Sequence, residues 1–273
     1  MNKKVFFNAT LPRAGGTLFQ NIIGQNPQFH ATSTSGVSSL VTNNFKTFYD
    51  NIIFKHQKDY NLCKDSFYNY CREGINGYYS NINQNIIIDK SREWLYNVDF
   101  LQKLYKQPKV ILLIRDLRAI FSSLEKQYLK DPGVKIALNS KYNLPYHSSI
   151  IDRINLYEQL PFIEYIFPVL QDLINFKNKN NIYIVKFEDL CTNPQNFMEG
   201  VYKYLQIPNF PHNFNKIDQI TYENDNYQHL GDHVISSKLQ LPPNNWDNYL
   251  TPSGSNYIYE KYYWYFKHFN YPK

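Results

Sequence analysis

The sequence predicts an α/β fold in which a parallel sheet is flanked by helices on both faces. Four short apolar runs, at 4–8, 85–88, 110–114 and 182–186, have the length of strands. Each is followed by a helix-like stretch, at 17–25, 93–106, 117–129 and 194–205. Strands that alternate with helices pair in parallel, because each crossover helix returns the chain to the same edge of the sheet. Arginines, glycines and hydroxyls gather just after two of the runs, where open parallel sheets bind their ligands.

The first run leads into Leu11-Pro12-Arg13-Ala14-Gly15-Gly16-Thr17-Leu18. A strand, a glycine turn and a helix start gather backbone N–H groups around one anion, helped by the helix dipole. Gly15 and Gly16 allow close approach, Thr17 offers a hydroxyl, and Arg13 offers a permanent charge. Taken alone, the segment equally suits an ordinary strand–turn–helix corner. It lacks the Gly-Lys-[Ser/Thr] of a Walker loop, which counts against nucleotide triphosphate hydrolysis.

Residues 27–84 form an insert, expected to be largely helical and to wall one side of a substrate cleft. The second strand ends at Ile88-Asp89-Lys90-Ser91, and the third delivers Arg115-Asp116-Leu117-Arg118 with Ser122-Ser123 one helical turn or two beyond. The region 209–255 is rich in Pro, Asn and Asp and reads as loop. An aromatic stretch at 257–269 then reads as a closing helix, its rings mostly core. With no repeats or low-complexity linker, residues 1–273 read as a single domain.

Bulk properties narrow the ligand class. A 273-residue chain with 43% hydrophobic and 19% charged residues can bury a substantial core. The net charge of +6 suits an anionic ligand, but it is spread without a basic block and gives no support to a nucleic-acid partner. Three cysteines without zinc-like spacing fit a reduced, cytoplasmic and soluble protein. The apolar run after Lys3-Lys4 stops at Asn8, too short for a signal peptide, and no segment has the length for membrane insertion.

Pro12-Arg13-Ala14-Gly15-Gly16-Thr17-Leu18 resembles the phosphosulfate-binding loop of sulfotransferases that use 3′-phosphoadenosine 5′-phosphosulfate (PAPS). Arg115 and Ser123 match the family's Arg and Ser that hold the 3′-phosphate. Val185-Lys186-Phe187-Glu188-Asp189-Leu190 with Asn193-Pro194, and Tyr204-Leu205-Gln206-Ile207-Pro208, are similar to two further family segments. Ile88-Asp89-Lys90-Ser91 resembles the Asp-Lys-[Ser/Thr]-Pro stretch. Val234-Ile235-Ser236-Ser237-Lys238 resembles the Ser-x-Ser-Lys segment of the tyrosylprotein branch.

The resemblance implies a P-loop-like fold and metal-independent sulfuryl transfer from PAPS to a hydroxyl or amine, leaving PAP. It assigns the 5′-phosphosulfate to Arg13 and Thr17 with the amides of Ala14, Gly15, Gly16, Thr17 and Leu18. Arg115 and Ser123 would take the 3′-phosphate, Lys90 the transferring oxygens, and Ser237 and Lys238 would close over the phosphates.

The sequence departs from the family where the general base should stand. Counting from Arg13 places Ser33-Thr34 at the tyrosylprotein branch's Glu, and Arg92 falls at the cytosolic members' His. His30 is the preferred substitute, with His56, Asp65, Glu73 and Asp89 as rivals. A P-loop-type nucleotide kinase and a catalytically inactive nucleotide-binding homologue are the competing readings. The aromatic insert suits a small-molecule phenol, a lipid or a peptide acceptor, and the Asn-rich loops suit a carbohydrate. Oligomeric state is not legible.

Overall fold

The computed structural model describes residues 3–145, 148–175, 181–223, 233–242 and 245–273. β1 (Lys4–Thr10) turns into α1 (Gly16–Ile23), and β2 (Phe29–Thr34) follows. α2 (Val37–Asp50), α3 (Ile52–Lys55) and α4 (Tyr60–Tyr78) lead to β3 (Ile86–Lys90). A 3₁₀ turn at Arg92–Leu95 and α5 (Val98–Leu104) precede β4 (Val110–Ile114). The chain continues through α6 (Leu117–Lys130), α7 (Pro132–Tyr142), α8 (Ile150–Glu158), α9 (Pro161–Glu164) and α10 (Ile166–Asn175) to β5 (Ile182–Lys186). α11 (Phe187–Thr192), α12 (Pro194–Leu205), α13 (Asp247–Lys261) and α14 (Tyr263–His268) complete it.

The strands form one parallel sheet in the order β2-β3-β1-β4-β5. The expected α/β class is the observed one. Strand alternation divides the core into two layers, one on each face. Phe7, Ala9, Ile87, Val110, Leu112 and Ile114 point into the larger layer with α2, α4, α5, α6 and α8. Phe6, Ile88, Ile111 and Leu113 point into the smaller one, against α1 and α12. Every residue of β4 is buried, which is why its sequence is an unbroken apolar run.

Three features differ from the sequence expectation. The insert carries the helices α2–α4 but opens with β2, an edge strand whose burial is partial. A strand paired on one side only needs few apolar residues, so Phe29-His30-Ala31-Thr32-Ser33-Thr34 gives no apolar run to read. None of α2–α4 lines the main cavity; Thr34 is the insert's contribution to it. The segment expected to be loop up to residue 255 becomes helical at Asp247, with a break at Thr251 (φ 58°) before Pro252. Residues 224–232 and 243–244 of that segment lie outside the described residues. The closing rings do pack in the core, Tyr265 and Phe266 being fully buried.

Candidate active site

The carboxyl ends of β1, β3 and β4 open onto a cavity of about 390 Å³. Arg13, Gly15, Gly16, Thr17 and Leu18 form one wall, and Lys90, Arg115 and Lys238 contribute charge from three other segments. The turn between β1 and α1 is tight. Arg13 (φ 60°) and Gly15 (φ 81°) are both left-handed, and Ala14 N donates to the Leu11 carbonyl at 3.1 Å. Neither glycine is replaceable in place. A Cβ on Gly15 would strike the Phe187 ring, and one on Gly16 would lie 2.6 Å from Thr10 Cγ2.

Arg115 follows β4 directly and is locked against that turn. Its Nη1 donates to the Arg13 carbonyl at 2.7 Å, and its guanidinium lies 4.6 Å from the Phe187 ring centroid. Burial draws its pKa down, opposed by Glu188, but a guanidinium stays charged under any working condition. Arg13 Nε donates to Ser123 Oγ at 3.0 Å, so the loop, Arg115 and Ser123 meet at one end of the site.

The neighbouring residues explain this rigidity. Asp116 caps α6 by accepting from Arg118 N at 2.8 Å and pairs with the Arg118 guanidinium at 2.6 Å. That turns Arg118 away, over Trp246 and onto the Pro272 carbonyl. Tyr265 OH donates to the Arg115 carbonyl at 2.8 Å. Glu188 accepts from Asp116 N and from Tyr271 OH. The aromatic C-terminus thus buttresses the turn that carries Arg115.

Lys90, the last residue of β3, marks the other end. Its Nζ lies 3.2 Å from Thr17 Oγ1 and 2.7 Å from Glu223 Oε1. Burial lowers the Lys90 pKa and the Glu223 carboxylate opposes it. For Glu223, burial works against ionisation, yet Lys90, the hydrogen bond from Thr34 N and nearby His233 hold its pKa at about 2. Glu223 Oε2 also faces His233 Nε2 at 3.3 Å, and His233 lines the cavity.

Not every expected residue reaches the cavity. Ala14 is fully buried behind the loop, and Ser123 touches the site through Arg13. Ser237 is exposed, and Ser236 and Lys238 on either side of it line the cavity instead. His30 does not face it. It is the second residue of β2, level with Ile87, and packs against Tyr79 at 6.3 Å between ring centroids. At about 3.3 Å per residue it sits roughly 10 Å below the level of Lys90, away from the strand ends. Burial lowers its pKa. Asp89 is buried in the core, accepting from Tyr79 OH and Trp94 Nε1, and burial raises its pKa. His56, Asp65 and Glu73 are exposed on or beside α3 and α4.

Sequence reading missed Glu223, His233, Thr34 and Phe187. The first two come from the loop-rich region, where no periodicity marks them. Phe187 sits inside a recognised motif, and the adjacent Gly15 was its one available signal: a ring needs a neighbour without a Cβ.

A glycine turn at a strand end, with three arginines and two lysines lining one cavity, concentrates positive charge at the carboxyl edge of the sheet. The chain belongs to the Sulfotransferase family, whose model matches residues 6–212. It is therefore a sulfotransferase by family. No curated protein sequence matches it. Among solved structures, a sulfotransferase domain from the curacin biosynthetic pathway is similar with a TM-score of 0.52 at 14% identity, covering 96% of this chain and 98% of that one. Mouse sulfotransferase SULT7A1, complexed with PAP, is similar with a TM-score of 0.52 at 13% identity, covering 95% and 82%. The sulfotransferase domain of the Synechococcus PCC 7002 olefin synthase gives 0.50 at 14%, covering 96% and 95%. These likenesses show the fold. Among the described residues, no helix is long and apolar enough to cross a membrane.

Proposed function

We propose that this sulfotransferase takes its sulfuryl group from PAPS and transfers it to a hydroxyl or amine acceptor, releasing PAP. The observation that carries the reading is the joint of Arg115 to the loop, Nη1 to the Arg13 carbonyl at 2.7 Å, on the wall of one cavity. A bis-phosphorylated nucleotide needs two separate sets of anion donors in one site. The loop amides with Thr17 and Lys90 form one set and Arg115 with Ser123 forms the other, while Arg13 of the loop reaches across to Ser123 Oγ. The turn's fit to the site is supported by the two glycines packed so closely against Phe187 and Thr10 that a Cβ at either would collide with them.

PAPS, when bound, supplies an activated sulfuryl group and a stable leaving phosphate. The chain's own part is positioning and charge stabilisation, as in phosphoryl transfer. The amides of residues 15–18 donate to the 5′ end, and Thr17 Oγ1 stands between them and Lys90. Lys90 Nζ offers its charge where negative charge develops. Ser236 and Lys238, rather than Ser237, complete the wall above the loop. The free thiols of Cys63, Cys71 and Cys191 fit a reducing compartment. The acceptor is a small molecule, carbohydrate or peptide that reaches the Lys90 end.

The test is calorimetry with PAP, ATP and ATP plus magnesium. PAP should bind without metal, and Arg115→Ala should weaken it about 10- to 100-fold, the worth of one charge-assisted hydrogen bond of roughly 1.5–3 kcal/mol. Equal PAP affinity in wild type and variant would remove Arg115 from the site, and preference for ATP with magnesium would favour a kinase.

A further inference from the structure

The residues lining the cavity must include a group able to take the acceptor's proton, since a neutral hydroxyl is a poor nucleophile. Among the described residues, six lining side chains are titratable: Arg13, Lys90, Arg92, Arg115, His233 and Lys238. Five of them are cations that donate and do not accept. We propose that His233 is the general base of the transfer and that Glu223 is its positioning residue.

The geometry places this pair at the reacting end. Thr17 Oγ1, Lys90 Nζ, Glu223 and His233 form a continuous chain with successive separations of 3.2, 2.7 and 3.3 Å. His233 therefore stands one carboxylate away from the lysine that faces the phosphosulfate loop. Glu223 is itself unsuited to take the proton. Its carboxylate accepts from Lys90 and from Thr34 N at 2.9 Å, its side chain is 4% exposed, and these partners keep it ionised. A fixed carboxylate beside an imidazole does what the third member of a catalytic triad does. It holds Nε2–H as the donor, leaves Nδ1 as the basic nitrogen, and stabilises the imidazolium that forms.

The backbone around the pair is built to hold it. Asn21 of α1 accepts from Thr221 N at 3.0 Å and donates to Thr221 Oγ1 at 2.8 Å, fixing the approach to Glu223. Ser33 Oγ donates to the Tyr222 carbonyl at 2.8 Å. Gln219 then ties the two segments together, donating to the His233 carbonyl at 3.0 Å and accepting from Ile235 N at 3.1 Å. Ile217 N donates to the Ser237 carbonyl at 2.7 Å. Such extensive anchoring of coil on both sides is what a preorganised base requires.

This inference rests on the PAPS reading above. In the step, the acceptor oxygen bonds to sulfur as its proton passes to His233 Nδ1. The bond from sulfur to the bridging oxygen breaks, and that oxygen leaves with the electron pair on PAP. Charge and atoms balance without any redox change. Among the described residues, the charged groups around the imidazole include Glu223 and, behind it, Lys90, with Arg92 and Lys238 on the cavity wall.

The experiment compares wild type with His233→Gln, Glu223→Gln and Glu223→Asp. PAP binding is read by calorimetry, and radiolabelled sulfuryl transfer from PAPS is read across alkyl alcohols, phenol and 4-nitrophenol, with water as acceptor where none of these is taken. His233→Gln should bind PAP within about twofold of wild type and lose about 10²- to 10⁴-fold in kcat, the usual worth of a general base. The loss should shrink as the acceptor becomes more acidic, from alkyl alcohol through phenol to 4-nitrophenol. Glu223→Gln should lower kcat and steepen that dependence on acceptor acidity, and Glu223→Asp should restore part of both. Full turnover by a PAP-binding His233→Gln, or an equal loss across all acceptors, overturns the proposal. A wild type that neither binds PAP nor transfers sulfate overturns the PAPS reading instead.

Discussion

Replacing each loop glycine by alanine tests the cradle, because the two positions fail for different reasons. Gly15 carries φ 81°, so alanine there bears left-handed strain of about 1–2 kcal/mol, and its Cβ also meets the Phe187 ring. Overpacking of this kind adds about 1–3 kcal/mol. The expected cost is about 2–5 kcal/mol, at roughly 2–4 °C in Tm per kcal/mol for a domain of this order. Gly16 carries no such strain, and its Cβ would meet only the Thr10 side chain at 2.6–3.1 Å. Thermal melts and PAP calorimetry on Gly15→Ala, Gly16→Ala, Gly15→Ala/Phe187→Leu and Gly16→Ala/Thr10→Ser separate the two causes. Thr10→Ser should recover much of the Gly16→Ala loss. Phe187→Leu should recover only the packing part of the Gly15→Ala loss, and it also removes the ring beneath Arg115. A Gly15→Ala protein with unchanged Tm and unchanged PAP affinity would refute the cradle geometry.

Two further perturbations reach the segment that carries Glu223. Asn21→Ala strips the bonds to Thr17 O, Thr221 and Ile220 from a side chain that is 1% exposed. It should cost about 1–3 kcal/mol and reduce turnover more than PAP affinity, read by melts and by kinetics. Stability should also depend on acid through Glu223, whose folded pKa of about 2 lies below its usual 4.5. A depressed carboxyl stabilises the fold above the unfolded value and loses that contribution as pH falls through the folded one. The Tm gap between wild type and Glu223→Gln should therefore be full above about pH 4.5 and close as pH falls towards 2; a gap independent of pH would show the carboxylate to be unpaired in solution.

The central strands were legible because burial on both faces writes them as apolar runs. β4 reads Val-Ile-Leu-Leu-Ile, and all five side chains are buried. β2 was not legible for the complementary reason: it pairs only with β3, and Ser33 and Thr34 turn polar atoms to the C-terminal segment. The helices between α6 and β5 gave no assignment either. Their start signals are present, with Asp131 capping α7 and Ser149 forming a capping box with Asp152. Their apolar stripes are short: α7 and α8 pack on α6, α8 also meets α13, and α9 and α10 continue from α8.

The residues proposed for the donor half lie close together in the sequence within two short segments, and the segments meet in the fold. Arg13 to Leu18 form one turn, and Arg115 and Ser123 lie on one strand end and the helix after it. The acceptor half is assembled across the chain. The position counted as lacking a carboxylate, at Ser33-Thr34, receives one: Thr34 N donates to Glu223, 189 residues further on. Counting along the chain locates a base only when the family's carboxylate is carried by the same strand. Here β2 supplies the backbone donor, α1 supplies the anchor through Asn21, and a coil segment supplies the carboxylate and the imidazole. The Lys90 end therefore gathers a buried ion pair, a hydroxyl and a cavity-lining histidine from segments far apart in the sequence, and no count along one segment could have found them.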